Sequence, residues 1–171
     1  GIYWTPFTDW ARDPERTVDA APEYKYKDIY LYANGKPQEL DGAYAVDPTH
    51  PAVEAMMKKT SGLFHRAGFE YVKMDFMTHG AMEADKWYNP EITTGIQGYN
   101  YGMKLLNQYF GDMYINLSIS PVFPAQYAQS RRIACDAWNQ IKDTEYTLNA
   151  LSYGWWQKYI SVSYTHLRAH E

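Results

Sequence analysis

The sequence predicts a parallel α/β fold: a partial β/α barrel of four consecutive core strands with helices outside. Short apolar strand patterns alternate with helical patterns along the chain, which is the signature of parallel units. Each strand pattern runs out into polar residues, and the C-terminal strand ends are where parallel barrels place their chemistry. A complete barrel of this kind needs roughly 250 residues, whereas this chain has 171. It therefore supplies about half of one.

The first strand is read in GIYWTPF, residues 1–7, and opens into a proline-containing polar loop. Residues 24–32 alternate aromatic and polar side chains, and Asn34-Gly35 is the favoured signal for a tight hairpin. A region of about residues 21–46 is thus expected to be a hairpin insertion. Pro51 suits the first turn of a helix capped by Thr49 or Asp47. Val53, Met56, Met57, Leu63 and Phe64 share one helical face, with Gly68 just past its end. The second strand follows over residues 69–76, and a polar, aromatic loop runs from 77 to 90.

A second helix is predicted over about 91–110, interrupted by Gly95, Gly98 and Gly102 and stopped by Gly111. INLSI, residues 115–119, forms the third strand, followed by a proline-rich turn and a short helix near Gln126. Arg132 to Asp136, RRIACD with its preceding arginine, forms the fourth. A last helix begins near Asp143 and reaches about Ile160. The end, SVSYTHLRAHE (161–171), breaks the pattern and resembles the translated read-through of a sequencing adapter. It is expected to be a non-native tail, so His166 and His170 are assigned no function.

Formal net charge is -4, which indicates neither a nucleic-acid groove nor an acidic tail. The chain has 17 Tyr and 6 Trp. Such rings pack cores and interfaces, but they also offer flat apolar area with a polar handle to a sugar. The single cysteine, Cys135, allows no internal disulfide and leaves the compartment undecided. No apolar run approaches a transmembrane span, and no signal peptide is visible. Both ends look cut, so a leader would be hidden, and a secreted or periplasmic longer protein is compatible with the sequence. The histidines show no zinc spacing and no glycine-rich phosphate cradle follows a strand, so no metal or other cofactor is expected.

The chemistry is carried by two carboxylates. In YVKMD, residues two apart face the same way, so Lys73 and Asp75 project together from a strand end. Arg132 and Asp136, four apart on the fourth strand, repeat the pattern of a cation preceding an aspartate. Each aspartate has a plain structural alternative, an ion pair or a cap on the following segment. Both nevertheless occupy the same position on a parallel strand, and a buried charge requires a partner. A carboxylate pair flanking one bond is the equipment of a glycosidase; retaining enzymes hold the two about 5 to 5.5 Å apart.

With these motifs the chain resembles the catalytic barrel of the alpha-galactosidase superfamily, glycoside hydrolase families 27 and 36. There a lysine, one residue and the nucleophilic aspartate close the fourth strand, as Lys73 and Asp75 do here. An arginine followed four residues later by the acid/base aspartate closes the sixth, as Arg132 and Asp136 do. GIYWTPF would be the third strand and INLSI the fifth, so the resemblance spans about residues 1–160, strands three to six. It implies a retaining alpha-glycosidase that works without a cofactor, with an alpha-galactoside favoured and an alpha-N-acetylgalactosaminide, a beta-L-arabinopyranoside or an alpha-glucan as the other substrates. Phe76 departs from the cysteine usual in family 27, Phe76-Met77 lacks the asparagine pattern of family 36, and the 8–50 insertion is atypical. The acidic pair that grips galactose hydroxyls on the second strand would precede Gly1.

Lys73, besides favouring the ionised Asp75, and Arg132 are expected to bind sugar hydroxyls, and several further residues are candidates for sugar contact. Trp4 and Trp10 lie on and beyond the first strand as aromatic walls, against ordinary packing. His79, with Glu83, follows the nucleophile strand, where the alternative is loop structure. Asn116 and Ser118 form the polar face of INLSI, whereas Cys135 reads as a small buried hydrophobe. A non-catalytic carbohydrate-binding barrel and a transglycosylase using the same carboxylates are the rival readings. The isolated peptide, with open sheet edges, is expected to be inactive or poorly folded.

Overall fold

The computed structural model describes residues 1–123, 126–132, 136, 140–153 and 161–162. Five strands form one sheet in the order β1 (Ile2–Trp4), β9 (Tyr71–Met74), β10 (Tyr114–Leu117), β11 (Ser130–Arg132) and β12 (Ser161–Val162). Every neighbouring pair is parallel, with Ile2 opposite Val72 and Ile115 opposite Val72 on the other side. Sequence order equals spatial order, as in consecutive barrel units, and the sheet is open. Residues Ser161 and Val162, in the segment expected to be a tail, form β12 beside β11.

The helices are α2 (Pro51–Arg66), α3 (Gly95–Phe110) and α4 (Ile141–Tyr153). His50, rather than Thr49 or Asp47, caps α2: its Nδ1 accepts the Ala52 N–H at 3.1 Å. Asp47 instead fastens loops, taking the Thr49 N–H, the Thr49 hydroxyl and the Tyr88 N–H. The second helix starts at Gly95, four residues later than expected, because Thr94 and Gln97 form a capping box there. Its glycines are packing devices. A Cβ on Gly98 would lie 2.9 Å from the Trp87 indole nitrogen, and one on Gly102 would lie 2.7 Å from Pro48 Cβ. Close approach of the loops, rather than helix propensity, explains them. Gly111 ends the helix as predicted.

One face of the sheet is covered by α2 and α3. Ile2, Trp4, Val72, Met74, Ile115 and Leu117 pack there with Met57, Phe64, Met103, Leu106 and Phe110. These strand and helix apolar side chains form the main core because strand residues alternate faces. The other face carries the polar residues of the same strands.

Between β1 and α2 the chain makes its excursion. It contains β2 (Thr8–Asp9), β3 (Thr17–Val18), β4 (Ala21–Lys25), α1 (Tyr26–Ile29), β5 (Tyr32–Ala33), β6 (Lys36–Pro37), β7 (Glu39–Leu40) and β8 (Ala43–Ala45). The β5–β6 hairpin turns on Asn34 and Gly35, both with positive φ, as the sequence indicated. The alternating stretch 24–32 is not one strand, however. Asp28 accepts the Lys25 N–H at 2.8 Å and starts the short helix α1 inside it. A second hairpin, β7–β8, turns on Asp41 and Gly42. Among the described residues no helix is long and apolar enough to cross a membrane.

Candidate active site

Strand β9 builds the centre of the site by simple alternation. Val72 and Met74 are fully buried toward the helices, so Lys73 and then Asp75 face the opposite side. Lys73 stands opposite Tyr3 on β1 and Asn116 on β10, and Asn116 stands opposite Ser130 on β11. A polar row thus crosses four strands on the face without helices. Asn116 donates from Nδ2 to the Ser130 hydroxyl at 2.7 Å. Among the described residues its Oδ1 and the Ser118 hydroxyl, both buried, have no hydrogen-bond partner.

Asp75 sits at the end of this row with its side chain only 7% exposed. A charge so placed needs compensation, and it has two sources: Lys73 Nζ lies 3.3 Å from Oδ2, and the Phe76 N–H donates to Oδ1 at 2.8 Å. Tyr3 completes the surroundings. Burial, and then the facing Asp75 carboxylate, push the Tyr3 hydroxyl up to about 12; Arg132 opposes this and Asp136 adds to it. The phenol therefore remains a hydrogen-bond donor through the neutral range. Its ring also lies under the Lys73 ammonium, 5.4 Å from the centroid.

The chain leaves β9 in an uncommon way. Phe76 has φ of 54°, and Ile119, after β10, has φ of 43°; such left-handed conformations cost bulky side chains roughly 1–3 kcal/mol. Packing holds them. The Trp10 ring meets Phe76 edge-on at 4.7 Å, and Thr78 donates both its N–H and its hydroxyl to the Ile119 carbonyl. The left-handed step at Phe76 turns its N–H back onto Asp75.

Asp136 has different surroundings. It pairs with Arg132 and is 54% exposed, while the Arg132 side chain is 7% exposed. Strand β11 ends at Arg132; Cys135 and the rest of 133–135 lie outside the described residues. Both aspartates, each with its cation, act on the Tyr3 hydroxyl through their charge, Asp75 more than Asp136.

Other sequence candidates separate cleanly. Trp4 is not on this face: it has the parity of Ile2, stacks on Phe110 at 5.7 Å and meets Phe64 at 6.3 Å. Tyr3, one residue earlier, takes the position on the polar face. Trp10 does reach the site, with Nε1 donating to the Thr5 hydroxyl. His79 is fully buried, with Nδ1 3.0 Å from the Phe76 carbonyl and Nε2 2.8 Å from the Leu40 carbonyl. It braces the Asp75 loop against the insertion rather than facing the row. Glu83 accepts the Gly95 N–H at the start of α3. Tyr3 was legible only through the alternation of β1; the turn at Phe76 had no sequence signal, because a phenylalanine rarely adopts it.

Neither a protein-family model nor a curated protein sequence matches the chain. Solved structures do. An alpha-galactosidase from Thermus thermophilus in complex with stachyose superposes with a TM-score of 0.66 at 18% identity, over 95% of this chain and 37% of that one. A GH27 β-L-arabinopyranosidase from Geobacillus stearothermophilus gives 0.52 at 19% identity, covering 83% of this chain and 33% of that one. An isomalto-dextranase from Arthrobacter globiformis, complexed with panose, gives 0.51 at 19% identity, covering 80% and 25%. The fold is that of part of the glycoside hydrolase barrels of the alpha-galactosidase type. The chain spans little more than a third of the length of the first of these structures.

Proposed function

We propose that the chain carries the catalytic centre of a retaining alpha-glycosidase whose substrate is an alpha-galactoside. The observation that supports this most is that two cation-paired aspartates after strands of one sheet, Asp75, closed in beside Lys73, and Asp136, open beside Arg132, both act on Tyr3. A nucleophile has to remain ionised, and a nearby ammonium and a backbone N–H favour that form. An acid/base group has to reach a leaving oxygen and then a water, which suits the exposed member of the pair.

In this scheme an Asp75 oxygen bonds to the anomeric carbon as the glycosidic C–O bond breaks, and Asp136 gives its proton to the departing oxygen. Asp136 then takes a proton from water, whose oxygen displaces Asp75 and regenerates the carboxylate. Lys73 and Tyr3 hold the nucleophile, Arg132 orients Asp136, and Asn116 lies in the row available to sugar hydroxyls. Similarity to an alpha-galactosidase seen with stachyose supports the choice of sugar. The test is hydrolysis of p-nitrophenyl alpha-D-galactopyranoside by the full-length protein, with the first-formed sugar read by proton NMR. An alpha-configured product is expected; a beta product would replace retention with inversion, and no turnover would favour a non-catalytic sugar-binding barrel.

A further inference from the structure

A second concavity opens within the insertion, between α1, the start of α2 and the loop after β9. Its volume is about 590 Å³, within the range of roughly 300–1,000 Å³ typical of small-molecule sites. None of Tyr3, Lys73, Asp75, Arg132 or Asp136 lines it.

Four of its walls are aromatic: Tyr30, Tyr32, Trp87 and Tyr88. Two are fixed in advance, since Tyr30 donates its hydroxyl to Asp9 at 2.6 Å and Tyr32 donates to the Lys27 carbonyl at 2.8 Å. Tyr88 is held by its backbone, whose N–H donates to Asp47, while its side chain is 57% exposed. The ring meets His50 edge-on at 4.5 Å, so its exposed part can be covered by a ligand without ordering the loop first. Rings set before binding lower the entropy cost of capture.

The polar lining is specific as well. His50 accepts the Ala52 N–H at Nδ1, which places its proton on Nε2, and burial pushes the imidazole pKa down, so the ring is neutral. The His50 ring meets Tyr24 and Tyr88 edge-on, at 4.7 and 4.5 Å. Lys27, Lys86, Asp28 and Asp47 also line it, two charges of each sign, so the cavity carries no net charge to attract an anion or a cation. Lys27 is further tied to Glu15 at 2.8 Å. Aromatic faces, a neutral donor and balanced charges fit a neutral polyhydroxylated ring, whose C–H faces stack while its hydroxyls exchange hydrogen bonds.

We propose that this cavity is an accessory saccharide subsite that binds a neutral sugar unit of an oligosaccharide away from the bond being cleaved, with Tyr88 as its stacking platform. The assignment of the longer saccharide as a substrate rests on the glycosidase reading; the binding itself does not. A structural connection joins the two sites: Asp9, which holds Tyr30, precedes Trp10, whose ring rests on Phe76 beside Asp75.

The test is calorimetric titration of the full-length Asp75→Asn protein with stachyose and with p-nitrophenyl alpha-D-galactopyranoside. Adding Tyr88→Ala is expected to weaken stachyose about fivefold and the single-sugar glycoside by less than about twofold, whereas Tyr88→Phe, which keeps the ring, restores stachyose affinity. Equal losses for both ligands, unchanged stachyose affinity in Tyr88→Ala, no rescue by Tyr88→Phe, or no stachyose binding to the parent would each overturn the subsite. Tyr88-dependent stachyose binding in a protein whose unsubstituted form hydrolyses no galactoside would keep the subsite and remove only the glycosidase reading.

Discussion

Asp75 and Asp136 are the same residue type at the same end of one sheet, and their surroundings are opposite. Asp75 lies under a lysine, a tyrosine and a strained backbone turn, with little access to water. Asp136 stands more than half exposed, against an arginine that is itself buried. The first arrangement immobilises a charge, and the second presents one. Division of labour between two carboxylates follows from environment rather than from residue type, and each part of that contrast can be broken separately.

The largest effect is expected from Asp75→Asn in the full-length protein, which removes the charge while keeping the shape. Turnover of an aryl alpha-galactoside should fall on the order of 10⁴-fold or more, with the folded state kept, as judged by circular dichroism. Asp136→Asn should cost less, about 10²- to 10⁴-fold on a natural oligosaccharide. On the p-nitrophenyl glycoside, whose leaving group needs little protonation, the loss should be smaller still. Equal losses on both substrates would contradict the role given to the exposed carboxylate.

Lys73→Met tests the closed end through stability. It leaves Asp75 buried without its ammonium, and thermal or denaturant unfolding should show a loss of about 3 kcal/mol. Arg132→Met, whose partner is exposed to water, should cost clearly less. Similar losses in the two variants would erase the distinction between the two carboxylates.

Tyr3 offers a pH signature. Its folded-state value of about 12 lies above the ordinary 10 of an unfolded tyrosine, so between those limits the native protein keeps a proton that the unfolded chain has lost. Its contribution to stability is therefore full below pH 10 and disappears as pH rises toward 12. Phenolate absorbance should show the Tyr3 transition near pH 12, as the difference between the parent and Tyr3→Phe. A transition missing near pH 10 in the variant would place Tyr3 in ordinary solvent, away from Asp75. The same variant should lower turnover by about tenfold, because only one hydrogen-bond donor is lost.

The parallel architecture was legible because its signals are local and repeated. Alternation in YVKM, the helix stop at Gly111 and the turn at Asn34-Gly35 each depend on residues adjacent in sequence. The cation–aspartate pairs were legible for the same reason, since two-residue spacing fixes the face of Lys73 and Asp75. What was hidden depends on residues far apart. Trp4 drew attention as an aromatic wall, yet its parity turns it onto Phe110, and Tyr3 takes its place. His79 reads as a site histidine until the Leu40 carbonyl, 39 positions away in sequence, is seen on its ring. Gly98 and Gly102 read as helix weaknesses until Trp87, Pro48 and Phe7 are found against them. Gly102→Ala should accordingly destabilise the fold by about 1–3 kcal/mol, measurable as a lower unfolding midpoint, even though alanine is the better helix former.

Of the two aspartates, the enclosed Asp75 is proposed to be the one that becomes bonded to sugar. Incubating the full-length protein with a fluorinated galactosyl fluoride, which forms the covalent intermediate faster than water releases it, and mapping the adduct by peptide mass spectrometry tests this directly. One added fluorogalactosyl group is expected on the peptide containing Asp75. An adduct on the peptide containing Asp136, or none while the unmodified sugar is still turned over, would contradict it.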